Sequence, residues 1–311
     1  MKRFVATTGL LACASLLGSA QQVPDLQFAP AVLTPTFAAN TGPTILVDEG
    51  HGNGHTLGET LTAFGKLVRA DGFAIKSLPG TFTKAALGDA AILMISNAAA
   101  PPQSNSRSAF TQVEIRTVRE WVQMGGALLL IADHMPAPAA AADLAQAFDV
   151  QFMNGFTLPK YMTELDEDKA YQASYDDPSV FTRATGTLKA HAITNGSTAA
   201  ERVEQVATFT GQGFRGRGVA PLLVFPSGFV SIFPDNPWEF RPTSRRTNGQ
   251  GLLQGGVKKV GKGRSGFFGE AAMFTAQRYG RTAIPMGLNH PLAKENAHFI
   301  LNLLHWLVGR L

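Results

Sequence analysis

The sequence predicts an α/β protein with a doubly wound, mostly parallel sheet that carries an inserted, irregular α+β region. Between residues 44 and 148, short apolar runs alternate with segments of helical periodicity. This alternation, at βαβ spacing, is typical of a parallel sheet with helices on both faces. The apolar runs contain few polar residues, as expected for strands that are covered on both sides. The alternation is lost from 154 to about 256 and then returns, which indicates an insertion.

The predicted elements before the insertion follow from these patterns. The strands are expected at residues 45–47, 73–78, 91–96, 127–132 and 150–153. Thr56 and Glu59 have the spacing of a capping box at the start of a helix that ends at Gly72, and Thr111 and Glu114 form a second such pair. An alanine-rich helix is predicted at 139–148.

Later elements are less regular. Strands are predicted near 203–209 and 221–225, and the Gly/Gln-rich stretch 248–256 is interpreted as loop. A strand is expected to end near Glu270, and the closing helix to begin near Asn289-His290-Pro291, with its apolar side facing the core.

The first residues have the pattern of a secretory signal. Basic residues at 1–3 precede an apolar run at 4–17 and small residues at 18–20, so cleavage is predicted near Ala20. Residues 21–43 are then a lead-in segment, and 44–311 form one domain. The protein is therefore expected to be exported, to the periplasm or beyond, with no membrane contact after cleavage. A retained membrane anchor is the alternative.

Composition excludes several kinds of chemistry. The chain is 45% hydrophobic and 16% charged with a net charge of +4, values that are ordinary for a globular protein. Cys13 is the only cysteine and lies in the signal, so the mature protein has no thiol for a nucleophile, a disulfide or a metal site. Basic residues concentrate between 215 and 264, but few aromatic residues accompany them, and no nucleic-acid partner is expected.

One glycine-rich loop contains most of the candidate chemistry. It follows the first strand and carries the side chains Asp48, Glu49, His51, Asn53 and His55. Its glycines lack the spacing of a dinucleotide fingerprint, and the Gly-Lys-Ser/Thr ending of a phosphate loop is absent. Carboxylate and imidazole together suit general acid/base catalysis or a divalent metal. The alternative is that Asp48 and His55 only stabilise the turn and the following helix.

A second acid–imidazole pair, Asp133-His134, follows the fourth strand of the predicted sheet. If the two strands are close, both clusters face one crevice at the carboxyl edge, where open α/β sheets bind ligands. The predicted catalytic residues are therefore Asp48, His51, Asp133 and His134. Predicted substrate-binding residues are Glu49, Asn53, Glu270 and Asn289. A divalent metal, zinc, held by His51, His55 and Asp133 is the one cofactor considered.

Several stretches together resemble a bacterial family of unknown function in the class I glutamine amidotransferase-like superfamily. They are 45–56, 127–136, 191–196, 208–211, 268–274 and 286–291, with a related pattern to 306. The resemblance implies a flavodoxin-like sheet. Amidotransferases carry a nucleophilic cysteine after the strand matching 127–132, where this chain has Asp133-His134, so glutamine hydrolysis by the cysteine route is excluded. His290-Pro291 is similar to their catalytic histidine, but Leu292 replaces the glutamate. Non-enzymatic members of the superfamily imply a sugar-binding role.

A shorter stretch, Ile45 to Gly52, is similar to the opening of zinc-dependent N-acetylmuramoyl-alanine amidases. The histidine that matches His51 binds zinc in those enzymes, but their downstream Ser-x-His-x-Asn motif has no counterpart. The sequence thus favours a hydrolase-like enzyme acting on a sugar, glycan or related envelope compound, with His51 or His134 as general base and Asp48 and Asp133 orienting the imidazoles. The alternative is a non-catalytic carbohydrate- or ligand-binding module. The expected ligand is a small molecule or glycan, and the sequence does not reveal any protein partner.

Overall fold

The structure is a computed structural model that describes residues 22–32, 34–101, 107–280 and 282–311. The predicted signal peptide, including Cys13, lies outside the described residues. Within those ranges, no helix is both long and apolar enough to cross a membrane.

The strands and helices alternate through the first half of the chain and strands dominate the second. The strands are β1 (Val23–Pro24), β2 (Thr44–Asp48), β3 (Ala74–Leu78), β4 (Ile92–Ser96), β5 (Ala127–Ile131), β6 (Val150–Phe152), β7 (Phe156–Pro159), β8 (Ser179–Thr182), β9 (Gln205–Thr208), β10 (Phe214–Gly216), β11 (Ala220–Val224), β12 (Phe229–Phe233), β13 (Arg245–Asn248), β14 (Leu253–Val260), β15 (Gly263–Phe268), β16 (Ala276–Tyr279) and β17 (Ile284–Gly287). The α-helices are α1 (Thr62–Ala70), α2 (Lys84–Leu87), α3 (Gln112–Gln123), α4 (Ala137–Gln146), α5 (Glu167–Asp176), α6 (Ala192–Asn195) and α7 (Asn296–Leu307).

The main sheet has the order β3-β2-β4-β5-β15-β14-β10-β6, with β11 paired to β14. The strands from β3 to β15 in this order are parallel, and those beyond β15 are antiparallel. The predicted α/β class with a large sheet around a parallel centre is confirmed. The sheet is less uniformly parallel than expected, because β10, β11 and β14, which the predicted insertion contributes wholly or in part, extend it.

Both faces of the parallel part are covered. Ile45 and Val47 of β2 pack in the same apolar cluster as residues of α1 and α7. Leu46, between them, packs in a second cluster with residues of α3 and α4. Successive side chains of a strand point to opposite faces, so a uniformly apolar strand supplies both layers at once.

The two predicted capping boxes have different outcomes. Thr111 and Glu114 form the box at the start of α3, where the Thr111 side chain accepts from the Glu114 backbone and the Glu114 side chain accepts from the Thr111 backbone. Thr56 and Glu59 do not begin a helix, because α1 starts only at Thr62. They lie instead in a turn, in which the Glu59 N–H donates to the Thr56 carbonyl.

The interpretation of 248–256 as loop is wrong at its later end, where β14 begins at Leu253. A Cβ on Gly255 would lie 2.6 Å from Phe268 Cε1, and one on Gly256 would lie 2.6 Å from Val219 Cγ1. These positions require glycine because the side chains of Phe268 and Val219 occupy the space that a Cβ atom would need. Glycine is depleted in strands generally, so its local pattern indicated a loop.

The remaining strands form small sheets beside the main one. β7, β12 and β13 make a three-stranded sheet, from which the chain continues after β12 into the loop that carries Trp238. β1 pairs with β16, so the lead-in segment is anchored next to the last strands. These additions lie at the carboxyl edge of the parallel strands and contribute side chains to the site there.

Candidate functional site

The parallel strands end together, and polar side chains follow their ends. Ile131 of β5 is aligned with Phe268 of β15, so Asp133 and Glu270, each two residues further on, emerge at the same level. Ser96 of β4 is also aligned with Ile131, which places Asn97 beside them. Asp48 ends β2 at this edge. The register of the sheet therefore brings the two acid–imidazole loops to the same edge, as the sequence predicted.

One cluster at this edge is closed. In this cluster, called the His51 cluster below, the ring of His51 lies between the carboxylates of Asp48 and Glu114. Its Nδ1 is 2.8 Å from Asp48 Oδ1 and its Nε2 is 3.0 Å from Glu114 Oε1. The rings of Phe82 and Phe110 pack against it with centroids 4.5 and 4.9 Å away. The side chain is 7% exposed.

The His51 cluster favours a charged imidazole. Burial disfavours the imidazolium, but hydrogen bonds and charges from Asp48 and Glu114 outweigh it and raise the pKa of His51. With a carboxylate on each ring nitrogen, neither nitrogen is available to water or to a metal ion in this arrangement. The geometry therefore favours a structural role for His51 over the catalytic and metal-binding roles that the sequence suggested.

Two further loop residues brace the same turn. Glu49 accepts from the Leu57 N–H at 2.7 Å and from the Ser77 hydroxyl. Asn53 donates to Asp48 Oδ2 at 3.0 Å and accepts from the backbone N–H of His51. Both side chains are therefore engaged in hydrogen bonds within the loop and to adjacent residues, whereas the sequence suggested that they bind substrate.

A second cluster is open and lines a cavity of 260 Å³, the polar pocket. Its lining includes Gly54, His55, Asn97, Asp133, His134, Thr210, Trp238 and Gln277. Carboxylate, imidazole, amide and hydroxyl groups therefore meet around a space slightly smaller than the roughly 300–1,000 Å³ of typical small-molecule sites.

His55 is held neutral at one wall of the polar pocket. Its Nδ1 is 2.8 Å from Thr60 Oγ1, and Asn97 Nδ2 donates to its Nε2 at 3.3 Å. These partners place the proton on Nδ1, an assignment that rests on the hydrogen-bond network. Burial lowers the pKa of His55, the nearby His134 lowers it further, and Asp133 opposes the shift.

Asn97 also connects His55 to the catalytic candidates. It takes the left-handed backbone conformation, with φ of 48°, which asparagine adopts more readily than most residues. Its Oδ1 accepts from the Asp133 N–H at 2.9 Å. Asp133 Oδ1 in turn accepts from the His134 N–H at 2.7 Å, so the backbone at the end of β5 is fixed from both sides.

His134 is the imidazole with a nitrogen left for chemistry. Its Nδ1 donates to the Met135 carbonyl at 2.8 Å, which leaves the lone pair on Nε2. Its ring stacks on Phe156, with centroids 4.5 Å apart, and meets Trp238 edge-on at 5.3 Å. These contacts hold the ring in one orientation.

Glu270 lies behind the polar pocket and is fully buried. Its carboxyl accepts from the backbone N–H groups of Ala272 and Met273 at 2.7 and 2.8 Å. Burial and the adjacent Asp133 carboxylate nevertheless raise the pKa of Glu270 well above its usual range. Glu270 therefore favours its neutral, protonated form, and it does not line the pocket itself.

Asn289 likewise acts from outside the lining. Its amide donates to Asp25 Oδ2 at 3.0 Å and to the Gln277 carbonyl at 2.9 Å. It thereby ties the lead-in segment to β16, whose Gln277 side chain reaches the polar pocket. The neighbouring His290 accepts from the Leu292 N–H and caps a short 3₁₀ helix, Pro291–Ala293.

The suggested metal ligands do not converge. Among the described residues, no three His, Cys, Asp or Glu side chains surround a common point. His51 is held in its own cluster, whereas His55 and Asp133 belong to the polar pocket. Zinc binding therefore stays a prediction from the sequence.

The pocket residues that the sequence did not predict include Asn97, Thr210, Trp238 and Gln277. Asn97 had a usable signal, because it directly follows a buried strand, as Asp133 does. The other three come from segments more than 70 residues further along the chain, and no local pattern relates them to the parallel strands.

Comparisons with known proteins identify a fold and not a family. No protein-family model and no curated protein matches the chain. Among solved structures, the mmIFT52 N-terminal domain is 15% identical with a TM-score of 0.58, and the match covers 85% of this chain and 97% of that one. A ThuA-like protein from Bacteroides uniformis is 11% identical over 90% and 96% of the two chains, with a TM-score of 0.46. A β-galactosidase from Rahnella sp. R3 is 10% identical with a TM-score of 0.42, over 85% of this chain and 31% of that one. The chain therefore shares its overall fold with the mmIFT52 domain.

Proposed function

We propose that this protein is a hydrolase that acts on a small hydroxyl-rich compound such as a sugar, the end of a glycan or a related envelope compound. The observation that carries the proposal is the polar pocket at the carboxyl edge of β2, β4 and β5. There a carboxylate, Asp133, adjoins an imidazole, His134, whose Nε2 is not used within the described fold. This pairing is the usual equipment for activating water.

The mechanism follows from the hydrogen bonds of His134. The Met135 carbonyl fixes the proton on Nδ1, so Nε2 is the base that takes a proton from water as the water oxygen attacks the substrate. The same nitrogen returns the proton to the leaving group. Asp133 stabilises the imidazolium that forms between these steps.

The lining of the pocket favours a sugar-like ligand. Thr210 offers a hydroxyl group to a ring of hydroxyls, and Trp238 offers an aromatic surface for its apolar face. The amides of Asn97 and Gln277 already make hydrogen bonds within the protein, but each has a further donor and acceptor for a ligand hydroxyl. The neutral state of His55 adds a polar group that carries no charge.

The superfamily and location are part of the same proposal. The parallel strands follow the spatial order second, first, third, fourth, fifth along the sheet, which is the flavodoxin-like order. This order and the sequence resemblance support placement in the class I glutamine amidotransferase-like superfamily. The basic and apolar pattern of residues 1–20 supports export from a bacterial cell.

A non-catalytic binding module is the second candidate. The hydrogen bonds of His55 and Asn97 favour it, because protein partners already fix both side chains at the wall of the polar pocket. A preformed, rigid site is what tight ligand binding needs even without turnover.

One experiment separates the two candidates. The purified protein is screened with chromogenic glycosides, sugar esters and N-acetylated amino sugars, and binding is measured by calorimetry alongside turnover. For the enzyme, Asp133→Asn should lower kcat by about 100-fold or more and leave binding nearly unchanged. Asp89→Asn, at an exposed turn before β4, is the matched control and should retain activity.

Two outcomes contradict the catalytic assignment. Full activity of Asp133→Asn on a confirmed substrate would remove Asp133 from the mechanism. Saturable binding without turnover, abolished by Trp238→Ala, would identify a binding module.

A further inference from the structure

A second cavity adjoins the polar pocket and differs from it in chemistry. This apolar pocket has a volume of 530 Å³ and is lined mainly by Ala, Pro and Met residues between β4 and α4. Arg107 is the exposed cation of this lining. Such a surface suits a hydrocarbon group and offers little to a second sugar ring.

The two pockets share one wall. Gly54, Asn97 and His134 line both of them. His134 therefore lies at the junction of the two pockets, where a ligand that occupies both would contact it. Its ring is held there by Phe156 and Trp238, and its Nε2 carries the lone pair.

We infer that the substrate is an acylated sugar, an ester whose sugar lies in the polar pocket and whose acyl chain lies in the apolar pocket. The inference rests on the proposed hydrolase function and narrows its substrate class. An ester bond joins a polar sugar to an apolar acyl chain. With each group in its own pocket, the ester bond lies next to His134.

The reaction balances with water as the only co-reactant. His134 Nε2 removes a proton from water while the water oxygen bonds to the acyl carbon and the carbonyl electron pair moves to its oxygen. When that pair returns, the bond between the acyl carbon and the sugar oxygen breaks. The sugar oxygen takes the proton from His134, which gives a free sugar hydroxyl and a carboxylic acid.

The test measures kcat/KM on one monosaccharide esterified with acetyl, butyryl, hexanoyl or octanoyl groups. Burial of each added methylene should raise kcat/KM by about fourfold until the apolar pocket is full. Ala139→Leu fills part of that pocket from α4, so it should abolish the gain in kcat/KM that longer acyl chains give. Ala142→Leu, on the same helix but outside the lining, is the matched control. Thermal unfolding shows whether both variants are folded.

The outcomes distinguish the inference from the function on which it rests. Ester hydrolysis that does not depend on chain length, or that Ala139→Leu does not alter, would overturn the acyl-sugar inference alone. Turnover of glycosides or amides without any turnover of esters would do the same. Absence of turnover across the esters, glycosides and amides would overturn both.

Discussion

The His51 cluster and the polar pocket contain the same kinds of group at the same edge of the sheet, yet they are built for different tasks. In the His51 cluster each ring nitrogen faces a carboxylate, and two phenylalanine rings exclude water. In the polar pocket, Nδ1 of His134 donates a hydrogen bond to a backbone carbonyl, and the His134 side chain lines the cavity. An acid–imidazole pair is thus informative about chemistry only when the partner of each nitrogen is known.

The strongest way to test this contrast is to remove the imidazole of the open cluster. His134→Gln should lower turnover of a confirmed substrate by at least about 100-fold, because a positioned general base contributes 10²–10⁴. His298→Gln, at an exposed position of α7, is the control and should leave turnover unchanged. A His134 variant with wild-type kcat would show that the open cluster is not catalytic.

The second test concerns stability and should give the opposite ranking of the two histidines. His51→Ala leaves two buried carboxylates without their cation, so the free energy of unfolding should fall by about 3 kcal/mol in urea titrations. His134→Ala loses ring contacts and the hydrogen bond to the Met135 carbonyl, and should cost about 1–2 kcal/mol. Adding Glu114→Gln to His51→Ala should restore part of the loss, because one of the two unpaired charges disappears. Equal costs for the two histidines would remove the distinction drawn between the clusters.

The third test uses pH and has the smallest expected effect. The pKa of His51 is raised in the fold, so its contribution is complete below the unfolded value of about 6.5 and is lost as pH rises through the folded value. Burial opposes ionisation of Glu114, but hydrogen bonds from Thr111, His51 and Phe82 lower its pKa, so its contribution is complete above about 4.3 and is lost as pH falls through the folded value.

The His51 cluster should therefore stabilise the protein most between about pH 4.3 and 6.5. Denaturation midpoints measured from pH 4 to pH 9 should decline on the alkaline side in the wild type. In His51→Gln this alkaline decline should be reduced. An unchanged pH profile in that variant would mean that His51 does not titrate as the cluster requires.

Much of the fold was accessible from the sequence because it depends on local patterns. Uniformly apolar runs such as Ile92–Ser96 identify strands buried on both faces, and the Thr111–Glu114 box marks the start of α3. The edge at which Asp48 and Asp133 emerge follows from their positions directly after such strands. The wrong predictions also have local causes. Gly255 and Gly256 indicated a loop although they lie in a strand, and Thr56 and Glu59 lie in a turn that precedes the helix.

Only part of the candidate site could be predicted from the sequence, because its contacts join residues that are far apart in the chain. Glu114 is 63 residues from His51 in the chain, and Trp238 is more than 100 residues from His134. Each becomes a partner only when α3 and the loop after β12 are packed against the sheet. No spacing in the sequence could show which of the histidines would be enclosed by them.

The sequence by itself therefore determined the alternation of elements, the buried strands and the edge that collects the ionisable groups, since these depend on hydrophobic periodicity and caps within a few residues. The tertiary structure alone decided what those groups can do. It closed His51 between two carboxylates and left His134 at the junction of a polar and an apolar pocket. The state of an imidazole depends on which groups reach its two nitrogens, and those groups are supplied by distant parts of the chain.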